Sequence, residues 1–203
     1  MSIVTYNNRS IRNISAIPGA AESLTHIKTL TASSSSTLSF VDGSSDVVLD
    51  STYPIYLFKF INIHGSAESE LTFNMSVDSG SNYNVTKTST FFLAENAEND
   101  SFRSVAYQTG SDLAQGTGFK TLQRSTDFAD ADQSAAGTLH LFNPSSTTFV
   151  KHFISRIQSY GVARSHDSFA AGYGNTTSAV DAVQFKMSSG NIDSGTITLY
   201  GIN

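Results

Sequence analysis

PIYLFKFINIH, residues 54–64, is the longest nearly unbroken apolar run in the chain, interrupted only by Lys59 and Asn62. Its aromatic and β-branched side chains lose rotamer freedom in a helix and pack well on a pleated surface. The run is short and a proline heads it, so a strand is favoured over a buried helix. In a strand, Ile55, Leu57, Ile61 and Ile63 fall on one parity and Tyr56, Phe58 and Phe60 on the other. Both faces then carry apolar groups. Such a strand belongs inside a sheet, with a core on one side and an arm, a loop or a neighbouring subunit on the other.

Outward from this run the pattern stays that of strands and turns. Residues 70–77 alternate, with Leu71, Phe73, Met75 and Val77 expected inward and Thr72, Asn74 and Ser76 outward on a wet face. Val183, Phe185 and Met187 share one face, and so do Ile197 and Leu199. Further strands are expected at 24–30, 37–41, 83–93, 138–142, 148–160 and 167–173, with 94–100 read as an acidic loop or helical turn and 188–195 as a loop. Residues 101–132, with Gly110, Gly116 and Gly118, read as one or two strands joined by long surface loops. About ten strands, short turns and no helix–strand alternation predict an all-β protein: an antiparallel β-sandwich, jelly-roll-like, over residues 22–203. Residues 1–21 hold irregularly spaced Ile3, Val4, Tyr6, Ile11, Ile14 and Ile17 and close at Pro18-Gly19. They read as an extended N-terminal arm that docks on another protein, or packs along its own domain.

Composition narrows the function. The 203 residues suit one domain with a sizeable core. Charged residues make up only 14% of the chain, against roughly 25% in ordinary soluble proteins. Serine and threonine fill the difference, which predicts a hydroxyl-rich surface. A net charge of -5 with scattered Lys and Arg gives no basic patch for nucleic acid. The absence of cysteine excludes disulfides and thiol chemistry. No run of 18 apolar residues proposes membrane insertion, and the opening MSIVTYNNRS is not a secretory signal.

Motifs for chemistry are sparse. His26, His64, His140, His152 and His166 form no metal-ligand spacing and read as surface or turn histidines, with His140 and His152 on strands that can be hairpin partners. Asp42-Gly43-Ser44-Ser45-Asp46 starts like a calcium loop but lacks the sixth-position glycine and the bidentate glutamate. Asp127, Asp130 and Asp132 read as solvated acidic turns or a weak hard-cation site. Ser165-His166-Asp167 holds three triad residue types, yet strand neighbours point to opposite sides and assemble no triad. Gly172-Tyr173-Gly174 lacks the spacing of a phosphate fingerprint. Without tryptophan, a sugar platform would fall to tyrosines such as Tyr53, Tyr83, Tyr107, Tyr160 and Tyr173. Sequons, among them Asn13, Asn74, Asn84 and Asn175, are expected by chance in so hydroxyl-rich a chain. No catalytic, cofactor-binding or metal residues are assigned, and no cofactor.

Longer stretches carry a resemblance. FVDGSSDVVLDSTYPIYLFKFINIHGSAE (40–68), YQTGSDLAQGTGF (107–119), GTLHLFNPSSTTFVKHFI (137–154) and above all VQFKMSSGNIDSGTITLYGI (183–202) resemble a family of virion structural proteins of marine tailed bacteriophages. TYNNRSIRNISAIPG (5–19) is similar to the leader of some members. The resemblance implies a non-catalytic virion protein: capsid decoration, or a tail or fibre component. Its arm, residues 1–21, would bind other virion proteins, and it would form a homo-oligomer, with a trimer as the analogy from other appendages. Assembly would take place in the host cytoplasm, with release by lysis. The competing readings are a carbohydrate-binding module that recognises a host surface glycan, and a glycan-degrading enzyme.

Overall fold

The computed structural model describes residues 24–124 and 130–203; the expected arm, residues 1–21, and Asp127 lie outside them. In chain order the strands are β1 (Thr25–Thr31), β2 (Leu38–Val41), β3 (Ile55–Gly65), β4 (Leu71–Ser76), β5 (Lys87–Ala97), β6 (Arg103–Tyr107), β7 (Leu113–Gly116), β8 (Lys120–Thr121), β9 (Ala135–Phe142), β10 (Lys151–Gly161), β11 (Arg164–Gly174), β12 (Ala182–Met187) and β13 (Ile192–Ile202). All pairings are antiparallel. The large sheet has the order β1-β13-β3-β9-β10-β11-β5-β6, with β7 also on β5, and the small sheet has β2-β12-β4-β8. The two sheets face each other as a β-sandwich.

The opening run becomes β3, between β13 and β9 in the large sheet. Tyr56, Phe58 and Phe60 are buried in the core as the parity predicts. After Phe60 the parity breaks. Asn62 adopts φ of 50°, the register with β9 shifts between Phe60 and Ile63, and that with β13 shifts between Ile61 and His64. Gly195 of β13 approaches so closely that a Cβ there would meet the Asn62 carbonyl. The bulge turns Ile63 into the core, fully buried, and corrects its expected place beside Ile61, which remains 41% exposed.

The aromatic half of the core joins the sheets. Phe185 of β12 meets the rings of Phe58 at 5.2 Å and Phe60 at 5.3 Å, while Phe73 meets Phe153 of β10 at 5.0 Å. A four-stranded sheet cannot cover a nine-stranded one, and segment 108–124 fills the remainder. Under β5, β10 and β11, beside large residues such as Phe91 and Phe153, several inward residues are small or polar: Ser89, Ser155, Ser159, Ser168 and Ala170 are all buried. Three of these hydroxyls serve the covering segment, while Ser155 donates to the Thr138 carbonyl. Leu113 N–H donates to Ser89 Oγ at 3.0 Å, Arg124 N–H to Ser168 Oγ at 3.2 Å, and Gln123 Nε2 to Ser159 Oγ at 3.1 Å. The hydroxyl-rich surface expected from composition is therefore partly a hydroxyl-rich interior.

Other boundaries are corrected too. Residues 94–97 extend β5 instead of forming a loop, β13 begins at Ile192 inside the expected loop, and 101–124 holds three strands, not one or two. Val77 is 38% exposed rather than inward. All six residues of β4 are buried, so its polar face is not wet.

β10 and β11 are joined by a two-residue turn, since Gly161 pairs with Arg164. Val162 and Ala163 both take positive φ, 47° and 54°. This is the hairpin geometry that Asn-Gly favours and a β-branched residue resists. Replacing the pair by Asn-Gly (Val162→Asn with Ala163→Gly) should raise stability by about 1–2 kcal/mol, read as a higher urea midpoint. An unchanged midpoint would mean that the turn carries no strain.

Candidate interaction surface

Outside the loop and turn residues Phe149 and Val162, the most exposed apolar side chains collect on the outer face of the large sheet, on the strands farthest from β3. Antiparallel register aligns Thr138, Arg156, Phe169, Phe92 and Tyr107 in one transverse row across β9, β10, β11, β5 and β6. Phe92 and Phe169 stack at 4.6 Å with planes 9° apart. The Arg156 guanidinium lies 4.9 Å from the Phe169 centroid and grips Asp167 with two nitrogens, the shorter contact 2.6 Å. Asp167 holds the Arg156 pKa above its ordinary value, so this cation stays charged. Tyr107 donates its hydroxyl to Asp112 at 2.6 Å.

Two shallow grooves flank the stack. One, of about 490 Å³, is lined by Thr88, Thr90, His152, Ile154, Ala171 and Tyr173. The other, of about 580 Å³, is lined among others by Ala94, Asn96, Arg103, Val105, Ser165 and Asp167. Val105 is 75% exposed, Ile154 54% and Tyr107 52%. By contrast, Ile55 and Leu57 on the outer side of β3 are half-buried. The surface asking for a partner therefore lies beyond the opening stretch.

The sequence candidates distribute as follows. β9 and β10 are hairpin partners, and His140 and His152 share the outer face, but His140 is opposite Ile154 and His152 opposite Tyr173. His26 bonds Thr29 Oγ1 at 3.0 Å, and His64 donates from Nδ1 to the Gln133 carbonyl at 2.7 Å. His166 is buried, against the expectation of a surface position, with Nε2 3.4 Å from Glu95 Oε1. Ser165 and Asp167 face outward and His166 inward, so no triad forms. The Asp42–Asp46 stretch is a tight turn: Asp42 accepts from Leu49 N–H at 2.8 Å, and Gly43, Ser45 and Asp46 take positive φ. Asp130 is engaged with Gln133. Among the described residues no three His, Asp or Glu side chains gather as a metal site. Tyr53 packs edge-on against Tyr56 at 5.8 Å, and Tyr173 against His152 at 6.3 Å. The Asn74 sequon is unusable in the fold: its side chain is fully buried and donates to the Tyr83 and Thr117 carbonyls.

Sequence reasoning missed the buried cations. Lys87, Lys120 and Lys151 have no exposed surface. Lys87 Nζ donates to Asn74 Oδ1 at 2.5 Å and the Val85 carbonyl at 2.6 Å. Lys120 Nζ donates to the Ser111 carbonyl at 2.5 Å and lies 4.6 Å from the Phe91 centroid. Lys151 Nζ holds three carbonyls, those of Ser146, Phe149 and Thr176. These contacts are neutral, so burial dominates and lowers all three pKa values, Lys87 and Lys120 to about 7. A signal was available for two of them: Lys87 and Lys151 stand on the inward parity of their strands, in line with Phe91 and Phe153.

Comparison of the chain with protein-family models, curated proteins and solved structures gives no match.

Proposed function

We propose that this chain is a non-catalytic structural protein of a tailed-bacteriophage virion, a capsid decoration or tail component, that works by packing against other protein. The observation that carries the reading is the neutral, apolar outer face of the large sheet: Phe92, Phe169, Tyr107, Val105 and Ile154 on adjacent strands, with Arg156 neutralised by Asp167. Exposed apolar residues clustered in this way mark interaction sites rather than ordinary surface. The extended sequence resemblance supplies the virion context, and residues 1–21 supply the anchor. In this reading the protein assembles in the host cytoplasm, forms homo-oligomers and leaves by lysis.

The test is to locate the chain in purified particles by electron microscopy, with its presence read by mass spectrometry of the same particles. Density on shell or tail supports the proposal, and absence of the chain from particles overturns it. Deleting residues 1–19 should leave the fold intact and reduce incorporation at least tenfold; normal incorporation of the shortened chain would overturn the anchoring role.

A second reading has one observation in its favour. The apolar groove edged by Tyr173 and His152 offers ring surface beside the Thr88 and Thr90 hydroxyls, a combination suited to a sugar ring. Binding of labelled protein to intact host cells, competed by soluble surface glycan, would favour recognition over decoration.

A further inference from the structure

We propose that the outer edge of β6, which pairs with no strand among the described residues, is a homodimer interface, in which two copies pair β6 with β6 antiparallel about a two-fold axis at Val105. The inference deepens the expected homo-oligomer by naming its surface and symmetry, and it does not depend on the virion role.

The edges of the sheets differ in how they are protected. β2 is four residues long and β8 two, too short to template a partner. β1 carries Lys28 and a register shift between His26 and Lys28, which bends an edge away from pairing. β7 is only four residues and its register on β5 also shifts. β6 has a charge only at its first residue, Arg103, which pairs with Asp100, and it has no register shift. Its five pairs with β5 run without a break, from Phe92–Tyr107 to Asn96–Arg103. It contains no proline, and its middle residue, Val105, is the most exposed large apolar side chain among the described residues.

Hydrogen-bond alternation shows which backbone groups point outward. At one end Gln108 N–H donates to the Phe91 carbonyl, and at the other Ala97 N–H donates to the Phe102 carbonyl, each at 2.9 Å. In an antiparallel ladder only every second residue exchanges bonds with a given neighbour. Residues 102, 104, 106 and 108 therefore face β5. The N–H and C=O groups of Arg103, Val105 and Tyr107 face away from it, and their side chains stand on the apolar outer face.

The sequence of this edge is complementary to itself. With Val105 opposite Val105 of the second copy, Arg103 lies opposite Tyr107 of the second copy, and Tyr107 opposite its Arg103. Six backbone hydrogen bonds close, two valines meet, and each guanidinium meets a phenol ring. A parallel pairing would instead set Arg103 against Arg103. Pairing continues the large sheet through both copies, so that Phe92 and Tyr107 of one copy share a row with Arg103 and Asn96 of the other. A five-residue edge buries less than the roughly 1,200 Å² of a standard stable interface, which places the contact among weak, concentration-dependent ones.

The full-length chain, measured by sedimentation velocity from 1 to about 200 micromolar, should move from monomer to dimer. Val105→Pro removes an outward N–H that β5 does not use, so the fold persists in circular dichroism while the dimer is lost. Val105→Lys and Val105→Glu should each be monomeric, because like charges meet on the axis. An equimolar mixture of the two should dimerise again, at least tenfold more tightly than either variant alone. That recovery is specific to position 105 facing itself. A wild type that stays monomeric, a Val105→Pro variant that dimerises normally, or a mixture that fails to recover would each overturn the inference.

Discussion

Phe185→Ala should lower stability by about 4 kcal/mol, the usual range for removing a fully enclosed ring being 3–5 kcal/mol. Phe185 stands on β12, in the small sheet, and touches rings from both sheets. Phe58 and Phe60 reach it from β3 at 5.2 and 5.3 Å, Phe40 from β2 at 6.2 Å and Phe73 from β4 at 6.4 Å. Truncation leaves four rings facing a void that none can fill without leaving its own strand, so the cavity term adds to lost transfer energy. Val77→Ala is the matched control. Val77 continues the alternation of β4 in the sequence yet is 38% exposed, and its truncation should cost less than about 0.5 kcal/mol. Urea unfolding at constant m value reads both. A Phe185→Ala loss below about 2 kcal/mol would mean that the aromatic cluster is not the joint between the sheets.

The contrast between Phe185 and Val77 shows where periodicity is informative. Phe185 was legible because β12 is clean: core on one face, water or a neighbour's polar edge on the other. Val77 was misread because alternation does not announce where a strand stops, and here pairing ends at Ser76. Ile63 failed for a different reason. One asparagine in left-handed conformation shifts parity for everything after it, although asparagine is among the residues that tolerate that conformation. The outer face of the large sheet was the least legible feature. Phe92, Phe169 and Tyr107 lie far apart in sequence, and only register brings them into one row. Segment 101–124 was opaque because Leu113 N–H, the Gln123 side-chain amide and Arg124 N–H are held by serine hydroxyls from β5, β10 and β11, a form of packing with no apolar period.

Stability should rise with pH between about 7 and 9.5, because Lys87 and Lys120 are more easily protonated in the unfolded chain than in the fold. Burial brings both to about 7 from an ordinary 10.5. In that interval the unfolded state binds more protons, and stability increases with pH wherever this holds. Below pH 7 both lysines are charged in either state and the full desolvation cost is present. Each unit of separation is worth about 1.4 kcal/mol per lysine, so the two together set a ceiling of roughly 7 kcal/mol over this interval. Tyr56 supplies the opposite limb. Burial and the nearby Asp50 raise its pKa well above 10, so above pH 10 the unfolded tyrosine ionises first and opposes the rise. The two lysines outweigh the one tyrosine until about pH 10.5, so stability peaks there instead of near neutrality. Lys87→Met and Lys120→Met together keep the aliphatic stems and remove both charges, which should stabilise the protein at pH 6 and flatten the rise. At pH 9.5 the benefit disappears, because Met accepts no duty toward the Val85 and Ser111 carbonyls that the amines had satisfied. Urea midpoints from pH 6 to 10.5 on wild type and the double variant measure the difference and cancel every group they share. A wild-type curve parallel to that of the variant would show that the two lysines keep ordinary proton affinity inside the fold, held there by carbonyl dipoles strong enough to replace water.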